Sequence, residues 1–90
     1  MRLEKNLTIV NKLGLHARAA TQLVQLAQQF KANITLIQGD KTASAASVLG
    51  LMMLESYQGK EVTVVSEGDD AEAALAAIEE LITAKFHEKE

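Results

Sequence analysis

Ninety residues, 48% of them hydrophobic, suffice for one compact domain spanning residues 1–90 and leave no room for a second. A formal charge of −3 with both signs interspersed gives no long-range pull on nucleic acid or on an anionic membrane. Without cysteine there is neither a disulfide framework nor a thiolate metal site, which fits a cytoplasmic setting. The opening MRLEKNLTIV lacks the apolar core of a signal peptide, and no segment reaches the apolar length a bilayer span requires.

In chain order, Leu7 and Ile9 alternate with Thr8 and Val10, a period-two pattern that predicts a first strand over residues 4 to 10. Asn11 and Gly14 break it. Ala20, Leu23, Val24, Ala27 and Phe30 then recur at helical spacing, so a helix is expected from Ala17 to Phe30. Asn33 to Gln38 and Lys41 to Ser44 read as a hairpin turning at Gly39-Asp40. Ser47 is placed to cap a short apolar helix containing Val48, Leu51 and Met52, although Gly50 lowers its propensity. Lys60 to Glu67 predicts a strand, after which Gly68-Asp69-Asp70 turns and caps a last helix. That helix carries Ala71, Ala74, Leu75, Ile78, Leu81 and Ile82 on one face and runs to about Phe86. Phe30 and Phe86 end their helices at buried phases, whereas His87 reads as solvated and the tail from His87 to Glu90 as fraying. The order βαββαβα, with one apolar stripe on each helix, predicts an α+β open-faced sandwich: a four-stranded, mainly antiparallel sheet with three helices on one face.

The chemistry concentrates in NKLGLHARAA, residues 11 to 20, between the first strand and the first helix. The first amides of a helix lack intrahelical partners, and the helix dipole adds partial positive charge there, so an anion fits. His16 presents its ring to that position, and Arg18 supplies a fork of donors suited to phosphate oxygens. A partly unprotonated imidazole attacks phosphorus without a separate base. These residues alone leave two readings open, because a lone histidine ahead of a helix is more often a functionally silent side chain than a nucleophile.

GLHARAA after a first strand resembles the GLHARPA signature of the HPr family, the phosphocarriers of the phosphoenolpyruvate-dependent phosphotransferase system. The resemblance covers nearly the whole chain, since KTASAAS, VLGLMML, VTVVSEG and the alanine-rich final helix follow in the family's order. It implies that His16 is phosphorylated on Nδ1, that Arg18 stabilises the phosphoryl group, and that the backbone N–H groups of Ala17 and Arg18 complete the cradle. It further implies enzyme I as donor, an enzyme IIA protein as acceptor, no metal or organic cofactor, and a stoichiometric carrier rather than an enzyme. Val48, Leu49 and Leu51 become the expected partner surface, and Ser47 a regulatory position in some relatives as well as a helix cap. A monomer is the simplest expectation for a shuttle that docks two partners with one surface.

Two departures from the family pattern stand out. Ala19 replaces the usual proline, and Gln25 and Gln28 occupy places where sugar-type carriers tend to carry lysine. Together with NKLGLHAR, LMMLES and KFHEKE they resemble the nitrogen-related branch more than the sugar-uptake branch. The nearest rival is a binding module of the same fold whose His16 is never phosphorylated. An RNA-binding domain would need aromatic platforms and a basic face, and the chain has three aromatic residues and a net negative charge. An acyl carrier would be all-helical, with Asp where Ala46 stands before Ser47. A conventional enzyme would need a second acid or base, a metal cluster or a nucleotide loop beside His16.

Overall fold

The computed structural model describes residues 1–88. Its elements are β1 (Arg2–Thr8), α1 (Ala17–Ala27), β2 (Asn33–Gln38), β3 (Lys41–Ser44), α2 (Val48–Met52), β4 (Glu61–Glu67) and α3 (Ala71–Thr83), followed by a single 3₁₀ turn at Lys85–His87. The sheet order is β1-β4-β2-β3, and every neighbouring pair is antiparallel. This is the expected four-stranded open-faced sandwich.

Pairing register explains the two faces. Opposed residues share a face, so Leu7↔Val62, Leu36↔Val64 and Leu36↔Ala43 form an apolar row beneath the helices. Asn6↔Thr63 and Glu4↔Val65 lie on the other side. Lys5 falls on the helix face at the sheet edge, where its Nζ donates to Glu79 Oε1 of α3 at 2.8 Å. The helices complete the core with Ala20, Leu23, Leu51, Ile78 and Ile82, each at most 1% exposed. Each fully buried Leu or Ile contributes about 1.5–3 kcal/mol.

Four boundaries or caps differ from expectation, each for a visible reason. β1 lies two residues earlier than its alternation suggests, because β4 pairs with it from Arg2↔Glu67 to Thr8↔Glu61; Ile9 continues the alignment through Ile9 N–H to Lys60 O, 2.8 Å. α1 stops at Ala27 rather than Phe30: Gln29 and Phe30 donate to Leu26 and Ala27, a tightened last turn that leaves Phe30 only partly buried. Asp70 stands at the N-terminus of α3 but does not cap it. Its carboxylate instead accepts the backbone N–H groups of Lys31 and Ala32, both at 2.8 Å, tying the end of α1 to the start of α3.

The fourth difference is the tail. α3 ends at Thr83, and Lys85, Phe86 and His87 take φ of +59°, +53° and +60°. That left-handed passage returns Phe86 to the core at 1% exposure and sends the chain back across the molecule. His87 is exposed, as expected, but Glu88 does not fray, its side chain being 8% exposed. Residues 89 and 90 of the predicted tail lie outside the described residues.

Candidate functional site

The loop from Asn11 to His16 is held by backbone contacts rather than by regular structure. Gly14 has φ +67°, and a Cβ there would lie 2.5 Å from Ser56 O and 2.9 Å from Tyr57 Cα. Glycine is therefore required twice, for conformation and for clearance. The close approach lets Leu15 N–H donate to Ser56 O at 2.9 Å. Ser56 is itself fixed: it is 2% exposed, its hydroxyl donates to Gln38 Oε1, and Gln38 Nε2 donates to Leu54 O. Asn11 anchors the loop's other end, fully buried, with Nδ2 donating to Gly14 O at 2.7 Å.

His16 is the N-cap residue of α1, with extended backbone (φ −78°, ψ 179°) and its carbonyl accepting Ala20 N–H at 2.8 Å. Its side chain does not cap the helix, and no acidic residue occupies the first turn. The amides of Ala17 and Arg18 are thus left without the usual side-chain acceptor, at the positive end of an 11-residue helix. Arg18 is exposed and has no ion-pair or hydrogen-bond partner among the described residues. Ala19, where a proline was the expected family residue, is fully buried in the first turn, so the helix starts without proline.

The ring of His16 is 26% exposed, and its Nε2 lies 2.8 Å from Glu88 Oε2. Asn11 Nδ2 donates to the same carboxylate oxygen. Burial works to raise the Glu88 pKa, but hydrogen bonds from His16, Asn11 and the Leu13 amide, with the His16 charge, hold it below the usual carboxylate value of 4.5. Nδ1 has no hydrogen-bond partner among the described residues. Glu88 was missed in sequence because it is 72 residues from His16 and sits in a charged stretch; only the burial of Phe86 hints that the chain turns back.

Ser47 caps α2 as expected, its Oγ accepting Gly50 N–H at 2.9 Å. The expected partner surface needs revision. Leu51 is fully buried because α2 turns that position toward α1 and the core, and Val48 is only partly exposed against the same core. Besides Met1 at 70% and Val10 at 36%, the exposed large apolar side chains are Leu49 at 68%, Met53 at 66%, Leu13 at 63%, Tyr57 at 58% and Met52 at 40%. They belong to the His16 loop, to the loop behind Gly14, and to α2 with the turn after it. Two grooves of about 400 and 580 Å³ are lined, the first by Gln22, Gln25 and Ala77 and the second by Lys41, Met53 and Glu55; His16 lines neither. Among the described residues no helix is long and apolar enough to cross a membrane.

Comparison with known proteins places this geometry. Residues 3–84 match the family described as the PTS HPr component phosphorylation site. The chain is 61% identical over 87 residues to the phosphocarrier protein NPr of Shewanella violacea, covering 97% of this chain and 96% of that one. It is 42% identical to the phosphocarrier protein HPr of Xylella fastidiosa over 96% of this chain and 97% of that one. The crystal structure of HPr-C-His from Thermoanaerobacter tengcongensis superposes with a TM-score of 0.92 at 41% identity, covering 98% of this chain and 99% of that one.

Proposed function

Because this chain belongs to the HPr family of phosphotransferase-system phosphocarriers, with the NPr-like branch supported by its 61% identical relative, we propose that His16 Nδ1 is the phosphoryl acceptor. On this reading the donor is an enzyme I charged by phosphoenolpyruvate, the acceptor is an enzyme IIA-type protein, and the relay runs in the cytoplasm. The protein is then a stoichiometric carrier. It is consumed and restored once per phosphoryl group.

One observation carries the reading: His16 stands at an uncapped helix N-terminus beside Arg18, and neither its Nδ1 nor the Arg18 side chain has a protein partner among the described residues. The Nδ1 lone pair attacks phosphorus as the bond to the donor's leaving atom breaks, and charge grows on the three phosphoryl oxygens. The amides of Ala17 and Arg18 and the Arg18 guanidinium are the donors suited to those oxygens. Transfer onward reverses these steps. A surface site favours such an exchange, because each partner must bring its own reacting atom into line. Leu13, Leu49, Met52, Met53 and Tyr57 are exposed apolar side chains available to a docking partner.

Intact mass after incubation with enzyme I, magnesium and phosphoenolpyruvate tests the proposal. The wild type should gain a single acid-labile phosphoryl group, and His16→Ala should gain none. Absence of any gain in the wild type with several enzymes I would leave the unphosphorylated binding module as the better reading.

A further inference from the structure

Glu88 lies outside the residues 3–84 that carry the family match, yet its buried carboxylate touches the ring at the centre of the site. Building on the reading of His16 as phosphoryl acceptor, we propose that Glu88 is a positioning residue for phosphoryl transfer: its carboxylate fixes the His16 ring in the tautomer with hydrogen on Nε2 and the lone pair on Nδ1.

Held ionised by its hydrogen-bond donors, Glu88 only accepts, so the 2.8 Å contact to Nε2 requires an Nε2–H. A neutral imidazole has one N–H, and Nδ1 is then the nitrogen with a free electron pair. The carboxylate is itself held. Asn11, fully buried, donates Nδ2 both to Glu88 and to Gly14 O, so one amide couples the carboxylate to the loop that carries His16.

The chain reaches this position through an unfavourable backbone. Lys85, Phe86 and His87 are three successive non-glycine residues with φ between +53° and +60°. Such conformations persist only where surrounding contacts enforce them. Phe86, 1% exposed, is the anchor that does so, and Glu88 follows two residues later. A solvated tail would need none of this.

The consequence for the reaction is a step without proton movement at His16. As the Nδ1–phosphorus bond forms and the donor's bond to phosphorus breaks, the hydrogen stays on Nε2 and the ring gains positive charge. The Glu88 carboxylate faces that charge. When the phosphoryl group leaves, the electron pair returns to Nδ1 and the ring is neutral again.

Two measurements on the full chain test this, for the wild type, Glu88→Gln and Glu88→Ala. Long-range proton–nitrogen correlation of the His16 ring, at a pH where the ring is neutral, reads the tautomer directly. Rapid-quench uptake of phosphate from phosphoenolpyruvate and enzyme I reads the rate. In Glu88→Ala the ratio of Nε2–H to Nδ1–H tautomer should fall about ten-fold, the scale of losing one charge-assisted hydrogen bond, with Glu88→Gln between it and the wild type. Uptake should slow in the same order. Wild-type tautomer ratios in both variants, or unchanged uptake despite a shifted ratio, would overturn the role of Glu88 while leaving His16 as acceptor. Failure of the folded wild type to take up phosphate would instead remove the acceptor reading itself, and with it the positioning role.

Discussion

Replacing Gly14 by alanine should destabilise the protein more than the same change at Gly39, whose turn faces open space. Two costs add at this position. The left-handed backbone, φ +67°, costs a residue with a Cβ about 1–2 kcal/mol. The new Cβ also lies 2.5 Å from Ser56 O and 2.9 Å from Tyr57 Cα, and backbone atoms of a held loop cannot swing aside as a side-chain tip can. Forced overpacking of this kind costs about 1–3 kcal/mol more. The sum, about 2–5 kcal/mol, is a large share of the roughly 5–13 kcal/mol expected for a domain of this size. Gly39 is the internal control: its φ is +61°, but nothing lies within 4 Å of its added Cβ, so Gly39→Ala should lose only the first cost. Urea unfolding of both variants, followed by circular dichroism and extrapolated with a common slope, separates the two terms. Equal destabilisation of the two would refute the claim that the His16 loop is set by close approach to Ser56 and Tyr57. A native-like Gly14→Ala that takes up phosphate at the wild-type rate would refute it from the functional side.

Three further outcomes follow from particular contacts. Ser47→Ala removes the Oγ that accepts Gly50 N–H and should cost about 1 kcal/mol in the same urea assay, without affecting phosphoryl uptake by His16. Arg18→Ala should leave the unfolding midpoint within error, since the exposed side chain has no protein partner among the described residues, yet slow phosphoryl uptake by about 10- to 100-fold if the guanidinium contributes one charge-assisted contact in the transfer complex. Glu88 ties stability to pH with a definite sign. Its folded pKa lies below 4.5, so its contribution is fully present above that value and is lost as pH falls through the depressed folded value. The stability difference between wild type and Glu88→Gln should accordingly shrink as pH falls below 4.5, read by chemical unfolding at each pH.

The sheet and the helices were legible because periodicity reports burial. Leu7 and Ile9 alternate, Ala20, Leu23 and Val24 fall on one helical face, and each of these positions is buried. Boundaries were less legible, since register rather than composition decides them. Nothing in the MRLEKNLTIV stretch says that Arg2 will oppose Glu67. Asp70 shows the same limit for a cap: its residue type and place predict service to its own helix, and its carboxylate serves the Lys31 and Ala32 amides 39 and 38 residues earlier. Leu51 shows it for a surface, because an apolar run longer than one helix face does not reveal which members turn inward.

The site was half legible, and the division is physical. His16 and Arg18 lie in a local pattern, strand, glycine-containing loop and helix start, whose chemistry follows from residue type and position. Ser56 and Glu88 reach the site only through tertiary folding, and both work on parts of it already in place: Ser56 receives the Leu15 amide, and Glu88 receives the ring. What results is a hydrogen-bonded loop and helix start carrying two side chains held differently, a ring held at Nε2 and a guanidinium held by none of the described residues. On the carrier reading this asymmetry suits a relay. The nucleophile is oriented before any partner arrives, so little ordering entropy remains to be lost at the ring. Arg18 must still be ordered around the phosphoryl group, at up to about 2 kcal/mol of side-chain entropy, which weakens the hold of the free carrier and eases release to the next protein.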